Sequence, residues 1–373
     1  MLEKGKISAF DFQVIVLVFT IGSSILVGPG LLARFAKQDA WMASSLALMI
    51  SVSFVFLYIR LASLYPSLTF VECNEKILGK WIGNMVSILF LSYFYYLSSG
   101  LVREIGDFLT TQVLVETPIQ MIMIMFLLIS LFGVRLGLEV ICRTAVIFFP
   151  WIVGFLLMWF LFLIPEIKLV HIQPIFEGGI VPIIQGSYHS LGLPFLELAI
   201  FLMISPYVTE KESVKKAFYR GTFIGGIILS FLVTISILVM GAEFTARNTY
   251  PSYILGKKIS IGEFVQRIEI IVAIIWLFTI YFKLTICYYG LALGLAQVFK
   301  LNNYKILLFP LAFLIISLAL FSHPDIVHFH EFLDHTWTPL SLTICFFLPL
   351  FVYVIGVIRK KRAIENQSNT ENI

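Results

Sequence analysis

Charge is what this chain has least of: 13% of its 373 residues are Asp, Glu, Lys or Arg, against roughly 25% in a water-soluble domain. That shortage excludes a soluble body, and the net charge of +4 records membrane topology better than it suggests nucleic-acid binding. Cysteine is scarce as well. Cys73, Cys142, Cys287 and Cys345 have no metal-like spacing and none falls in an expected outer loop, so neither zinc nor a disulfide framework is expected. A Walker A string and a convincing nucleophile motif are both missing, which removes support for ATP-driven pumping and hydrolysis; no catalytic residue, metal or cofactor is expected. The start MLEKGKISAF lacks the short apolar core and small-residue cleavage site of a removed signal peptide, so the first span is expected to be retained.

Apolar residues are what remains. They make up 59% of the chain, mean hydropathy is +0.96, and runs near the roughly 20 residues a spanning helix needs recur from Phe10 to Ile358. The runs predict an all-α membrane domain over 1–362, with spans near 9–36, 40–62, 82–111, 119–136, 143–164, 182–206, 217–241, 263–292, 305–322 and 337–358. The remainder, 363–373, is polar and expected to be a disordered cytoplasmic tail. With the N-terminus inside, 16 basic residues fall in inner segments and 6 in outer ones, so both termini are expected in the cytoplasm.

Two spans carry breaking residues. In the first, Gly22, Ser23, Ser24, Gly28, Pro29 and Gly30 cluster in mid-segment; glycine permits non-helical dihedrals and proline removes a donor. The sixth carries Ser187 to Glu197, with Gly192 and Pro194 just before the carboxylate. If ten spans form two halves of five, these are corresponding positions, and paired broken helices point to a transporter-type site; an ordinary proline kink in each helix is the competing reading. Half-helix ends favour carboxylates at exposed N–H groups and ammonium groups or cations at exposed carbonyls. That suits a zwitterionic amino acid, and also a polar sugar or nucleoside.

Ionisable residues inside spans are functional candidates because burying them is expensive. Here they are Arg103, Glu104, Asp107, Glu197, Arg267, Glu269 and Lys283. Arg103 with Asp107, and Glu263 with Arg267, have the i,i+4 spacing of same-face pairs near outer helix ends, readable as structural pairs or as a gate. Glu197 and Lys283 are deeper, and the Lys283 ammonium is placed to stand in for a coupling cation against the broken first helix. Tyr93, Tyr95, Tyr96, Tyr288 and Tyr289 are read mainly as packing residues. The string HEFLDH from His330 misses the HExxH zinc pattern, because Asp334 stands where the second histidine belongs; the loop 323–335 is expected to be solvated.

Several strings together resemble the endospore germination permease family: ISAFDFQVIVLVFTIGSSILVGPGLLARFAKQDAW, SLYPSLTFVECNEKILGKWIG, IQPIFEGGIVPIIQGS and KISIGEFVQRIEIIVAIIW, in order along the chain. The members are the B subunits of nutrient germinant receptors. The resemblance implies an amino acid–polyamine–organocation superfamily fold with inverted five-helix repeats. It implies ligand contacts at Gly22, Ser23, Ser24, Gly28, Gly192, Pro194 and Glu197, and coupling or gating at Lys283, Arg103, Asp107 and Arg267. It further implies residence in the spore inner membrane with an A subunit and a C lipoprotein. Leu196 departs from the glycine expected before the family's glutamate, which puts pocket size in question. A nutrient receptor subunit, a proton- or cation-coupled amino-acid symporter and a ligand-opened conduit are the functions these features allow.

Overall fold

The computed structural model describes residues 3, 5–258 and 268–371, with side chains to Arg362. Its helices, in chain order, are α1 (Ala9–Ile21), α2 (Ser24–Ala36), α3 (Ala40–Leu64), α4 (Phe70–Leu78), α5 (Lys80–Gln112), α6 (Ile119–Leu136), α7 (Leu138–Leu163), α8 (Ile180–Ser190), α9 (Lys211–Met240), α10 (Ala242–Arg247), α11 (Pro251–Lys257), α12 (Glu269–Val298), α13 (Leu308–Phe321), α14 (Ile326–Phe332), α15 (Thr338–Ser341) and α16 (Leu348–Glu371). Capping boxes start two of them, Ser8 with Asp11 at α1 and Thr69 with Glu72 at α4.

Among the described residues, eight helices are long and apolar enough to cross a membrane. One of them, Ser24–Leu64, contains the second half of one crossing and the whole of the next, joined at the short turn Lys37–Asp39. The segment from α8 to Met203 is a further crossing, wound irregularly along its length. Over the described residues the chain therefore runs from pole to pole ten times, and the two crossings not made of one long regular helix are the two with breaks.

One pole gathers the start of the chain and the ends of α3, α6 and α12: Ile7 pairs with Val208 as an isolated parallel bridge, Thr69 Oγ1 donates to Gln297 Oε1 at 2.8 Å, and Tyr304 Oη donates to Val134 O at 3.2 Å. At the other pole, Arg34 meets Asp334, Gln38 donates to Pro174 O, and Lys168 N donates to Leu238 O.

The packing shows the repeat. The first crossing packs on the seventh (α1 on α9) as the sixth packs on the second (the segment after α8 on α3). The third packs on the ninth (α5 on α13) as the eighth packs on the fourth (α12 on α6), and first-on-fifth is mirrored by sixth-on-tenth. Small residues make the closest approach possible: on α9, a Cβ at Gly221 would stand 2.7 Å from Gln13 O. Burial ranks the helices, from α12, 67% buried in its apolar window, to α7 at 22%. The peripheral helices turn Phe132, Trp151, Phe309 and Phe313 outward, an apolar surface suited to lipid or to a membrane partner.

Two expectations change. The segment 323–335 is helical and only partly solvated: His323 and Phe329 are buried while Asp325, His328, Glu331 and His335 are exposed, and α14 with the π turn Leu333–Trp337 opens the tenth crossing well before residue 337. Helical backbone continues through residues 363–371, where disorder was expected, because extending an existing helix needs no new nucleus. Arg267 and Glu263 lie outside the described residues.

Candidate functional site

The first crossing breaks at one point. Gly22 has φ of +28°, a conformation that L side chains rarely adopt, and its N–H still closes α1 on Val18 O. Proline does not break the chain here, since α2 runs through Pro29; the carbonyl that Pro29 leaves without an intrahelical donor, Ile25 O, accepts from Ser252 Oγ at 2.6 Å.

The sixth crossing is rewound rather than interrupted. It passes from α8 to a π turn over Leu191–Phe195 and then a 3-10 stretch over Leu196–Met203, a change of pitch of the kind found at functional sites. Side chains from elsewhere take up its carbonyls. Trp337 Nε1 donates to Gly192 O at 3.2 Å, Lys283 Nζ to Leu193 O at 3.3 Å, and Tyr58 Oη to Leu196 O at 3.1 Å. Backbone off the regular α pattern thus persists at this depth inside protein, as it must.

Helix α12 stitches the two breaks together. Thr279 Oγ1 donates to Gly22 O at 3.0 Å, and one turn on Lys283 Nζ donates to Ser23 Oγ at 2.9 Å. The same ammonium stands 2.5 Å from Glu197 Oε2, with both side chains at 0% exposure. The contact is an ion pair, and Glu197 Oε1 has no hydrogen-bond partner among the described residues.

A cavity opens beside this pair, lined among others by Ser23, Leu193, Glu197, Glu104, Tyr96 and Trp337. Its free volume is about 20 Å³, room for about one water. Phe329, Phe332 and Leu333 form a roof toward the pole that carries Arg34. Beneath the breaks, Phe19 and Phe12 pack edge-on to Phe201, with ring centroids at 5.2 and 5.5 Å. Aromatic side chains thus narrow the site on both sides.

The roof is tied down around its edge. Arg34 Nη2 meets Asp334 Oδ1 at 2.7 Å, Phe35 stacks on His189 with ring centroids 3.9 Å apart, and Arg103 Nη1 donates to His323 O at 2.5 Å. The His323 imidazole shares a 3.1 Å hydrogen bond with Tyr96 Oη and lies 3.2 Å from His328 Nδ1. Burial first, then His328 and the Arg103 guanidinium, push its pKa down to about 4, so it is neutral at ordinary pH.

Of the residues singled out in the sequence, Gly22, Ser23, Glu197 and Lys283 meet at one point. Arg103 and Asp107 form a buried pair at 2.9 Å that braces the roof rather than facing the cavity. Ser24 and Gly28 line a separate small pocket with Ser44 and Ser190. Gly192 packs against Thr338, with 2.4 Å from an added Cβ to Thr338 Oγ1, and Pro194 is buried away from the cavity. Among the tyrosines only Tyr96 reaches it; Tyr93 bonds Ser341, and Tyr289 bonds Glu3. Glu104, one of the in-span ionisable candidates, had been given no ligand or gating role and lines the cavity. Trp337 was missed and carried no signal, since only the turn over 333–337 brings it to the cavity.

Ten crossings in two five-helix repeats, with paired irregular helices at the centre, define a membrane protein with a permease-like fold. A nucleobase-cation-symport-1 family transporter, Mhp1, in a closed conformation with bromovinylhydantoin bound, superposes with a TM-score of 0.65 over 92% of this chain and 78% of that one, at 14% identity. A Na+-coupled sialic acid symporter in an outward-open state matches equally well, TM-score 0.65 over 92% and 80%, at 11% identity. These likenesses show the fold. The family model described as spore germination protein matches residues 6–326, and the chain belongs to that family. Spore germination protein KB of Bacillus subtilis (strain 168) is 28% identical over 366 residues, 97% of each chain, and spore germination protein YndE of the same organism 26% identical over 364 residues, 96% of this chain and 98% of that one.

Proposed function

We infer that this chain is the B subunit of a nutrient germinant receptor, that it binds a small nutrient, an amino acid foremost, in the cavity between the two irregular crossings, and that it passes the resulting change to A and C partner subunits in the spore inner membrane, with both termini in the cytoplasm. The observation that carries this reading is the narrow, charged cavity at the junction of the breaks, where Lys283 ties Ser23 to Glu197. A ligand drives a signal only by binding one state better than another. Entry of anything larger than a water requires the roof to lift and the Lys283 contacts to loosen, so occupied and empty states differ at both breaks.

Two buried carboxylates facing one cavity, Glu104 and Glu197, also favour a second reading, a proton-coupled amino-acid symporter. Germination of spores lacking only this gene, scored separately against amino acids, sugars, nucleosides and a non-nutrient trigger, tests the receptor. Loss of one nutrient response with the non-nutrient response kept is expected; normal germination throughout, together with substrate uptake by vesicles containing this chain alone, supports the symporter instead.

The ion pair at the roof gives a separate expectation. Its side chains are 30% and 19% exposed, so it adds only about 0–1 kcal/mol to stability, and its effect lies in holding the roof down. Reversing either charge alone, Arg34→Asp or Asp334→Arg, is expected to shift the half-maximal nutrient concentration by about fivefold. Reversing both restores it, and a double variant no better than the singles argues against a gate there.

A further inference from the structure

We propose that Glu104 on α5 receives a positively charged amine of the ligand, which makes the ligand an ammonium-bearing compound rather than a sugar or another neutral polyol. The proposal rests on the reading of the cavity as the ligand site.

Glu104 is 5% exposed, lines the cavity, and leaves Oε1 without a hydrogen-bond partner. The cations within reach are committed elsewhere. Arg103 is held by Asp107 and His323 O, and Lys283 by Ser23 Oγ, Leu193 O and Glu197. The cavity therefore holds two carboxyl groups against one ammonium in a narrow, mostly apolar space, so one carboxyl is left to bind a proton or a further cation. An unpaired buried carboxylate is strongly unfavourable, and the missing partner is a proton or a cation.

A primary ammonium fits what is there. It is about the size of a water, which matches the free volume of about 20 Å³. It supplies three donors to the open oxygens of Glu104 and Glu197. The aromatic side chains of Tyr96 and Trp337, whose rings stack at 6.4 Å, border the same space and offer π-faces to a cation. A sugar hydroxyl supplies a donor to Glu104 but leaves its charge uncompensated.

The experiment uses spores carrying the full receptor, with Glu104→Gln and Glu104→Asp compared with wild type and with a strain lacking the gene. The probes are L-alanine and its hydroxy counterpart L-lactate, the other common L-amino acids, D-glucose and inosine. Expected is a gene-dependent response to an amine-bearing probe that its hydroxy counterpart does not elicit. Glu104→Gln, at unchanged membrane abundance, raises the half-maximal concentration of that probe by about tenfold to a hundredfold, and Glu104→Asp falls between. A gene-dependent response to glucose or inosine alone overturns the proposal. So does a Glu104→Gln strain as sensitive as wild type, because glutamine mimics a protonated, neutral Glu104. Should Glu104→Gln fail to accumulate, Glu104→Asp and the amine-against-hydroxyl contrast in wild type decide.

If no nutrient response depends on the gene, the receptor reading fails separately, and thermal unfolding of the purified chain in detergent tests the amine seat directly. Stabilisation of wild type but not Glu104→Gln by amine-bearing probes upholds it; no stabilisation by any of them overturns it.

Discussion

Replacing Lys283 by alanine is expected to remove most of the folded protein from the membrane. Lys283 and Glu197 are both fully buried and 2.5 Å apart, and Glu104 shares their cavity, so the variant leaves two carboxylates with no cation between them. Removing one partner of a buried pair typically costs about 3–5 kcal/mol, against a total stability of roughly 5–15 kcal/mol for a folded domain. Lys283 Nζ also joins Ser23 Oγ to Leu193 O, so its loss unties the first break from the second. The double variant Lys283→Met/Glu197→Leu replaces the pair by apolar groups of similar volume, a change that is often neutral or stabilising. It is expected to restore abundance but not nutrient response, since ligand and partners read the charges and not the volume. Immunoblots of spore membranes and thermal unfolding of the purified protein measure the first effect, and germination the second. Wild-type abundance in Lys283→Ala would show that the pair does not hold the breaks together.

Gly22→Ala, the addition of one methyl group, is expected to abolish the nutrient response. Two separate costs fall on that atom. The backbone at φ +28° is one that a side chain rarely adopts, a penalty of about 1–2 kcal/mol. The new Cβ would also stand 2.5 Å from Lys283 Cδ and 2.6 Å from Phe19 O. The lysine stem can move while the carbonyl, fixed in α1, cannot, so the substitution pushes the ammonium away from Ser23 and Glu197. By contrast, a Cβ at Gly28 would meet only Ser24 Cβ at 4.0 Å, and Gly28→Ala is expected to leave the dose–response curve within about twofold of wild type. Equal sensitivity of Gly22→Ala and wild type would remove the break from the signalling path.

How much of this was legible beforehand depended on the kind of signal. Apolar runs mark spans because lipid tolerates little else, and those runs located the ten crossings. The helices of the fifth and seventh nevertheless begin five and six residues earlier than the runs, at Leu138 and Lys211, that of the eighth ends six later, at Val298, and the tenth was placed furthest off. That one begins at α14, where His323 to His335 read as a solvated loop because histidines, Asp325, Glu331 and Asp334 hide the faces that Phe329, Phe332 and Trp337 turn inward. Gly22 and Gly28 looked alike in the sequence, and the fold separated them. Only the first takes a positive φ and lies under Lys283, while Pro29, the strongest breaker nearby, is absorbed once Ser252 caps the carbonyl it frees.

The sequence by itself determined the class of molecule, since its hydropathy, its sparse charge and its two clusters of helix-breaking residues follow from what a bilayer permits in any bundle. It also marked Glu197 and Lys283, because a charge in mid-span is costly enough to be conspicuous. The tertiary structure decided which of these residues share a site. Lys283 and Ser23 are 260 positions apart, and Glu104 and Glu197 lie on helices from different halves of the chain. Their meeting depends on how α12 and α5 pack between the repeats, a relation among helices that no local pattern along the chain encodes.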